Sequence, residues 1–162
     1  MSLNYLPEHA DTARLALALA ELEAKYLRYT VGTLFDEKID IEWVRRLSDR
    51  EDLAEKIDAF VSRFGRLQDH IGEKLLPAFA RLLGAQPKSL LDVLAYAERM
   101  GWIANAEEFI GTRKLRNLLV HEYMTEVELF FDALLAAQTA TSLLLNALEN
   151  LRQEAQRIGL PR

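Results

Sequence analysis

Residues 113 to 123 read Arg-Lys-Leu-Arg-Asn-Leu-Leu-Val-His-Glu-Tyr and hold the densest positive cluster in an otherwise acidic chain. Arg113, Lys114 and Arg116 supply fixed cations, and Asn117 and Tyr123 add hydrogen-bonding groups among them. His121 is the one side chain here whose unperturbed pKa, about 6.5, lets it take and return a proton near neutral pH. A guanidinium that can meet phosphoryl oxygens bidentately, near such an imidazole, is equipment for chemistry at a phosphate. The rest of the chain narrows the alternatives. It has no cysteine, which excludes a thiol nucleophile, a thiolate zinc site, an iron–sulfur cluster and a disulfide scaffold. The histidines, His9, His70 and His121, do not stand three or four apart as helical metal ligands do, so no metal and no cofactor is expected.

Spacing sharpens the cluster. On a helix, Lys114, Asn117 and His121 share one face, with Arg113 beside them. Arg116 and His121 are five positions apart, about 140° around the axis at roughly 100° per residue. One continuous helix would not aim both at one phosphate, so either the helix ends near Val120 or a neighbouring subunit completes the site. Past such an end, His121 and Tyr123 would share one side of an extended backbone. A plainer reading has Arg113, Lys114 and Arg116 offset the negative end of the helix dipole while His121 caps it.

Taken whole, Arg116, four residues, His121, one residue and Tyr123, with Asn117 directly after the arginine, resemble the Arg-x4-His-x-Tyr signature of the HEPN superfamily. Within it the string is most similar to the HepT-like ribonuclease toxins that pair with minimal nucleotidyltransferase antitoxins. The resemblance implies a single all-α domain over residues 1–162 and a metal-independent endoribonuclease toxin. It also implies a homodimer whose two motifs meet around one RNA-binding cleft. In that scheme the RNA 2′-hydroxyl attacks the adjacent phosphate, His121 is general base and Arg116 stabilises the charge developing at phosphorus. Asn117, Arg113 and Lys114 bind substrate, and Asp69 is the polar residue of the second helix that faces the site. Tyr123 is implied to receive adenylyl groups from the nucleotidyltransferase, placing a bulky anion near His121 where it would block RNA. The plainer alternative packs Tyr123 against the next helix. Related bundles also act as non-catalytic nucleotide- or substrate-binding subunits of nucleotidyltransferases, and the same basic cluster serves that alternative. A helical adaptor with neither role is the third reading.

Helices must position these residues. At 162 residues, half of them hydrophobic, the chain fits one domain that buries roughly 70% of its unfolded surface. A net charge of −5 argues against coating nucleic acid or an anionic membrane through bulk charge. The longest uncharged stretch, which holds Ala133 to Ala147, is shorter than the roughly 20 residues of a membrane-spanning helix. The opening Met-Ser-Leu-Asn-Tyr lacks the basic-then-apolar order of a secretory signal, so a cytoplasmic protein is expected.

About five helices in an up-and-down bundle are expected. The first follows Pro7 and carries Leu15, Leu19, Leu22, Tyr26, Tyr29 and Thr33 as one stripe. Ile39, Ile41 and Trp43 read as hydrophobic plugs in a loop. Ser48-Asp49-Arg50-Glu51 is a capping-box pattern opening a long second helix that runs from Leu53 to Leu82, is weakened at Gly72 and Pro77, and is capped by Gly84. Ser89 opens a third helix ended by Gly101, and Asn105 a fourth that turns Phe109, Ile110 and Leu115 inward. Thr125-Glu126-Val127-Glu128 opens the last, with Phe130, Leu134, Ala137, Thr141, Leu144, Leu148 and Leu151 in four-three alternation. Its wide apolar face fits either the bundle centre or a second subunit. Arg66, Asp69, His70 and Glu73 read as a solvated, salt-bridged face, and His9 as surface.

Overall fold

The computed structural model describes residues 3–121 and 126–162. These residues form an all-helical bundle, with no strand among them. Helix α1 spans Ala10–Leu34, the short α2 spans Ile41–Arg45, and α3 spans Glu51–His70. A π-helical turn, Ile71–Leu75, joins α3 to α4, Leu76–Leu82. Then come α5, Leu90–Arg99, α6, Ala106–His121, and α7, Val127–Arg157. Helices α3 and α7 each pack against both α1 and α6, so the four long helices enclose one core, and α5 closes its end against α4 and α6.

Several boundaries follow from local chemistry. Ser89 Oγ accepts from Asp92 N at 3.1 Å at the start of α5, and Asn105 Oδ1 accepts from Glu107 N (2.7 Å) and Glu108 N (3.2 Å) at the start of α6. Gly84 and Gly101 adopt φ of 95° and 76° just past α4 and α5, a left-handed conformation that costs glycine nothing. The capping box expected at Ser48 does not form. Leu47 is drawn into the core by a 3-10 turn, Arg46–Asp49, which leaves Ser48 inside that turn and starts α3 behind Arg50. The Arg50 guanidinium pairs with Asp52 there, at 2.9 and 3.0 Å, and holds the Asp52 carboxyl down at about 2. For the last helix, Thr125 lies outside the described residues and α7 begins at Val127.

The apolar stripe of α7 is buried along its whole length, from Phe130 to Leu151. This helix is long and apolar enough to cross a membrane by length and composition, yet that stripe faces the protein core. Ala133 and Ala140 are covered with it, whereas Ala136, Thr139 and Leu143 line an open groove of about 920 Å³ beside Gly111 and Leu115 of α6.

Helix α1 reverses the expected orientation. Leu15, Leu19, Leu22, Tyr26 and Tyr29 do share a face, but that face is exposed, with Leu15 at 62% and Tyr29 at 72%. The buried face carries Ala13, Ala16, Ala20, Ala24, Leu27, Thr30 and Leu34. Bulk in this part of the core comes from Phe60 and Phe64 on α3 and Phe130 and Leu134 on α7, and alanines let the α1 backbone approach them closely.

Of the expected loop plugs, Ile39 and Trp43 are buried and Ile41 is half-buried, but Ile41 and Trp43 sit on a helix of their own, α2, capped by Asp40 Oδ1 on Trp43 N at 2.8 Å. The weakness at Gly72 and Pro77 takes the form of the π turn. Pro77 has no N–H to continue the α pattern, and Leu76 N bonds to Ile71 O five residues back. Gly72 sits under Phe109 of α6, and a Cβ there would lie 3.1 Å from the ring. His70 is half-buried rather than solvated, with Nε2 2.7 Å from Ala16 O of α1.

Candidate functional site

Helix α6 carries Arg116, and its placement begins with the helix that holds it. Phe109, Thr112 and Leu119 are buried and fix the inner face of α6 against the core. That register turns Arg116 toward α3, where the chain supplies Gly65. A Cβ on Gly65 would lie 3.3 Å from both Cγ and Nε of Arg116, so the arginine stem rests directly on the α3 backbone. The guanidinium then reaches Asp69, one turn further along α3, with Nη2 3.3 Å from Oδ2.

Arg116 and Asp69 line a groove of about 380 Å³ between α3 and α6, together with Asp58, Ser62, Arg66 and Val120. Arg66 donates to Ser62 Oγ at 3.1 Å and pairs with Glu23 of α1 at 3.3 Å, so it is tethered to the rim. Two guanidinium groups and two carboxylates line the groove, which makes it polar and charge-balanced. Arg116 and Asp69 are both partly open to water, so their ion pair is one that an incoming anion can exchange.

The other expected residues are distributed around α6. Lys114 and Asn117 are exposed, and Arg113 lies half-buried toward α4 and α5. Helix α6 runs to His121, one residue past Val120, and the residues that follow it lie outside the described ones. In a continuous helix the His121 position stands about 140° around the axis from Arg116 and in register with Lys114 and Asn117. Tyr123 lies outside the described residues. The structure therefore joins Arg116 with Asp69 and with Asn117, whose Oδ1 accepts from Arg116 Nη1 at 3.4 Å, and leaves Arg113 in a separate basin. Among the described residues no three His, Asp or Glu side chains converge as metal ligands would.

Gly65, Ser62 and Asp58 belong to the groove without having been singled out in the sequence. A signal existed for Gly65. A glycine inside Phe64-Gly65-Arg66, in a strongly periodic helix, costs helix stability and marks a close approach by another element. Ser62 and Asp58 read only as polar positions on an amphipathic helix. No protein-family model, no curated protein and no solved structure matches the chain.

Proposed function

We propose that this protein is a metal-independent endoribonuclease of the HEPN type, a cytoplasmic homodimer whose partner is a minimal nucleotidyltransferase antitoxin. The observation that carries the reading is Arg116, seated over Gly65 and oriented by Asp69, on a helix whose last residue is His121. Arg116 would exchange Asp69 for a phosphodiester and hold two of its oxygens. His121 would take the proton of the RNA 2′-hydroxyl as that oxygen bonds to phosphorus and the bond to the 5′-oxygen breaks. The products are a 2′,3′-cyclic phosphate and a 5′-hydroxyl, whose proton comes from solvent or a protonated imidazole. Asn117 and Lys114, in register with His121 on α6, would bind the flanking backbone.

With Arg116 and His121 about 140° apart on α6, a second copy would bring both groups to one phosphate, as would a change of chain direction past His121. The exposed stripe of α1 supports such a dimer. Its 4-3-4-3 spacing from Leu15 to Tyr29 is that of a helix–helix seam. Tyr26 lies against α3 through Arg63, whose guanidinium is 5.6 Å from the ring centroid, and Glu23 of the same helix pairs with Arg66 at the rim of the Arg116 groove. The second reading is a binding subunit that holds a nucleotide in the same Arg116 groove without cutting it.

Incubation with single-stranded RNA in chelator separates the two. Cyclic-phosphate products that vanish in both Arg116→Ala and His121→Ala support the ribonuclease. Cleavage that persists in both variants, or that needs a divalent ion, overturns it. Intact mass after coexpression with a nucleotidyltransferase tests the partner, with whole AMP units on Tyr123 expected.

A further inference from the structure

On the far side of Asp69 from the groove, a second depression of about 350 Å³ opens between the π turn, α4, the start of α5 and α6. It is lined by Gly72, Glu73, Arg81, Lys88, Leu90 and Arg113, among others. Arg81 comes from the last turn of α4, Lys88 from the loop before α5, and Arg113 from the middle of α6. Three separately anchored cations therefore face one basin, against the single carboxylate of Glu73, in a chain of net charge −5. None of the three has an acidic side chain within ion-pair distance among the described residues. A concave surface lined by cations of one sign raises the local concentration of anions.

The basin borders the site. Gln68, Asp69, Gly72, Glu73, Leu90 and Arg113 close around a crevice too small for a water molecule between it and Asp69, the partner of Arg116. Gln68 is 1% exposed, and neither its Nε2 nor its Oε1 finds a hydrogen-bond partner. A buried amide left wholly unpaired is uncommon in folded proteins, and this one lies in the wall that Asp69 and Arg113 share. Arg113 and Arg116 stand one turn apart on α6, about 4.5 Å of rise, so a strand following the helix would meet both.

We propose that Arg81, Lys88 and Arg113 form a backbone-binding subsite that holds a phosphate of the RNA strand flanking the one at Arg116. This rests on the ribonuclease reading for the identity of the strand. Arg113 belongs to the cluster already assigned to substrate, and Arg81 and Lys88 extend it onto α4 and α5. The subsite reads charge and not sequence, because its three cations offer contacts to phosphate alone.

The test measures the affinity of the full chain for a fluorescent single-stranded RNA across a salt series, in a His121→Ala background that leaves the strand uncut. Neutralising Arg81 and Lys88 together (Arg81→Gln, Lys88→Gln) is expected to weaken binding on the order of tenfold and to flatten the log–log salt slope by about 1.4. The same charge change at Lys38 and Lys56, exposed elsewhere, leaves affinity near wild type. Equal losses in both double variants, or no RNA binding by the parent, overturn the subsite. Nuclear magnetic resonance shifts at Lys88 and Leu90 on adding inorganic phosphate, with RNA affinity unchanged in the variant, make it a free-phosphate site and overturn it too. Cleavage by otherwise unsubstituted protein is measured in parallel. Lost affinity in the variant without any cleavage by that protein keeps the subsite and removes the ribonuclease. Cleavage with unaltered affinity in the variant does the reverse.

Discussion

The stem of Arg116 lies on the backbone of Gly65, close enough that a Cβ at residue 65 would stand 3.3 Å from its Cγ and Nε. Two elements distant in sequence thus meet through a missing side chain, and the position of the guanidinium depends on it. Gly65→Ala places the new methyl against the half-exposed, flexible arginine stem and not against packed backbone. The fold should therefore hold. Alanine even favours the helix by about 0.5–1 kcal/mol over glycine, so the melting temperature should stay level or rise. RNA cleavage should fall about tenfold to a hundredfold as the guanidinium shifts. Loss of stability without loss of cleavage would contradict this placement of Arg116.

Asp69→Asn removes the carboxylate that pairs with Arg116 at 3.3 Å. Both partners are partly exposed, so the change in folding stability should stay below about 1 kcal/mol. Freed of its anion, Arg116 should bind RNA more tightly, while cleavage slows because the guanidinium has lost its orienting contact. Binding by anisotropy and single-turnover cleavage, measured on the same preparation, separate the two effects. Weaker binding in Asp69→Asn would show that the carboxylate serves the substrate in some other way.

The outward stripe of α1 predicts a self-associating surface. Leu19 and Leu22 are each 45% exposed, so Leu19→Glu with Leu22→Glu should leave the circular dichroism spectrum and its helical content intact. Sedimentation should shift from dimer to monomer, and cleavage should fall with it if two copies build one site. A monomeric parent protein, or a double variant that remains dimeric, would place the subunit contact elsewhere.

Asp52 provides a check on the start of α3. Hydrogen bonding to Arg50 holds its carboxyl at about 2, below its ordinary 3.8. A group whose folded pKa is lowered favours the folded state above its unfolded value and loses that contribution as pH falls through the folded one. The contribution should therefore fade from about pH 3.8 down to about pH 2. A carbon-detected titration should find the Asp52 midpoint near the lower end of that window and return it toward 3.8 in Arg50→Ala.

Short-range features were legible in the sequence. Ser89 and Asn105 cap α5 and α6, Gly84 and Gly101 end α4 and α5, and the α7 stripe is buried from Phe130 to Leu151. Each follows from bonds made within a turn or two, or from one periodic face with one possible burial. The Ser48 cap failed for the same kind of reason in reverse, because burial of Leu47 curled the preceding turn and took the serine away from the helix start.

Which face turns inward was decided only by the tertiary structure. Helix α1 presents two periodic faces, one of large side chains and one of alanines, and size alone favours burying the first. The core was already filled from α3 and α7 by Phe60, Phe64, Phe130 and Leu134, so close packing admitted the alanines and left the leucines and tyrosines outside. The same holds at the site. The sequence by itself set the Arg116, His121 and Tyr123 string and made a helix of the segment up to His121. It had no means of showing that Gly65 would lie under Arg116, or that Arg81 and Lys88 would face Arg113, because those meetings join residues 25 or more positions apart. Helix propensity acts within a few residues, whereas the choice of partner across a groove is made by how whole helices pack.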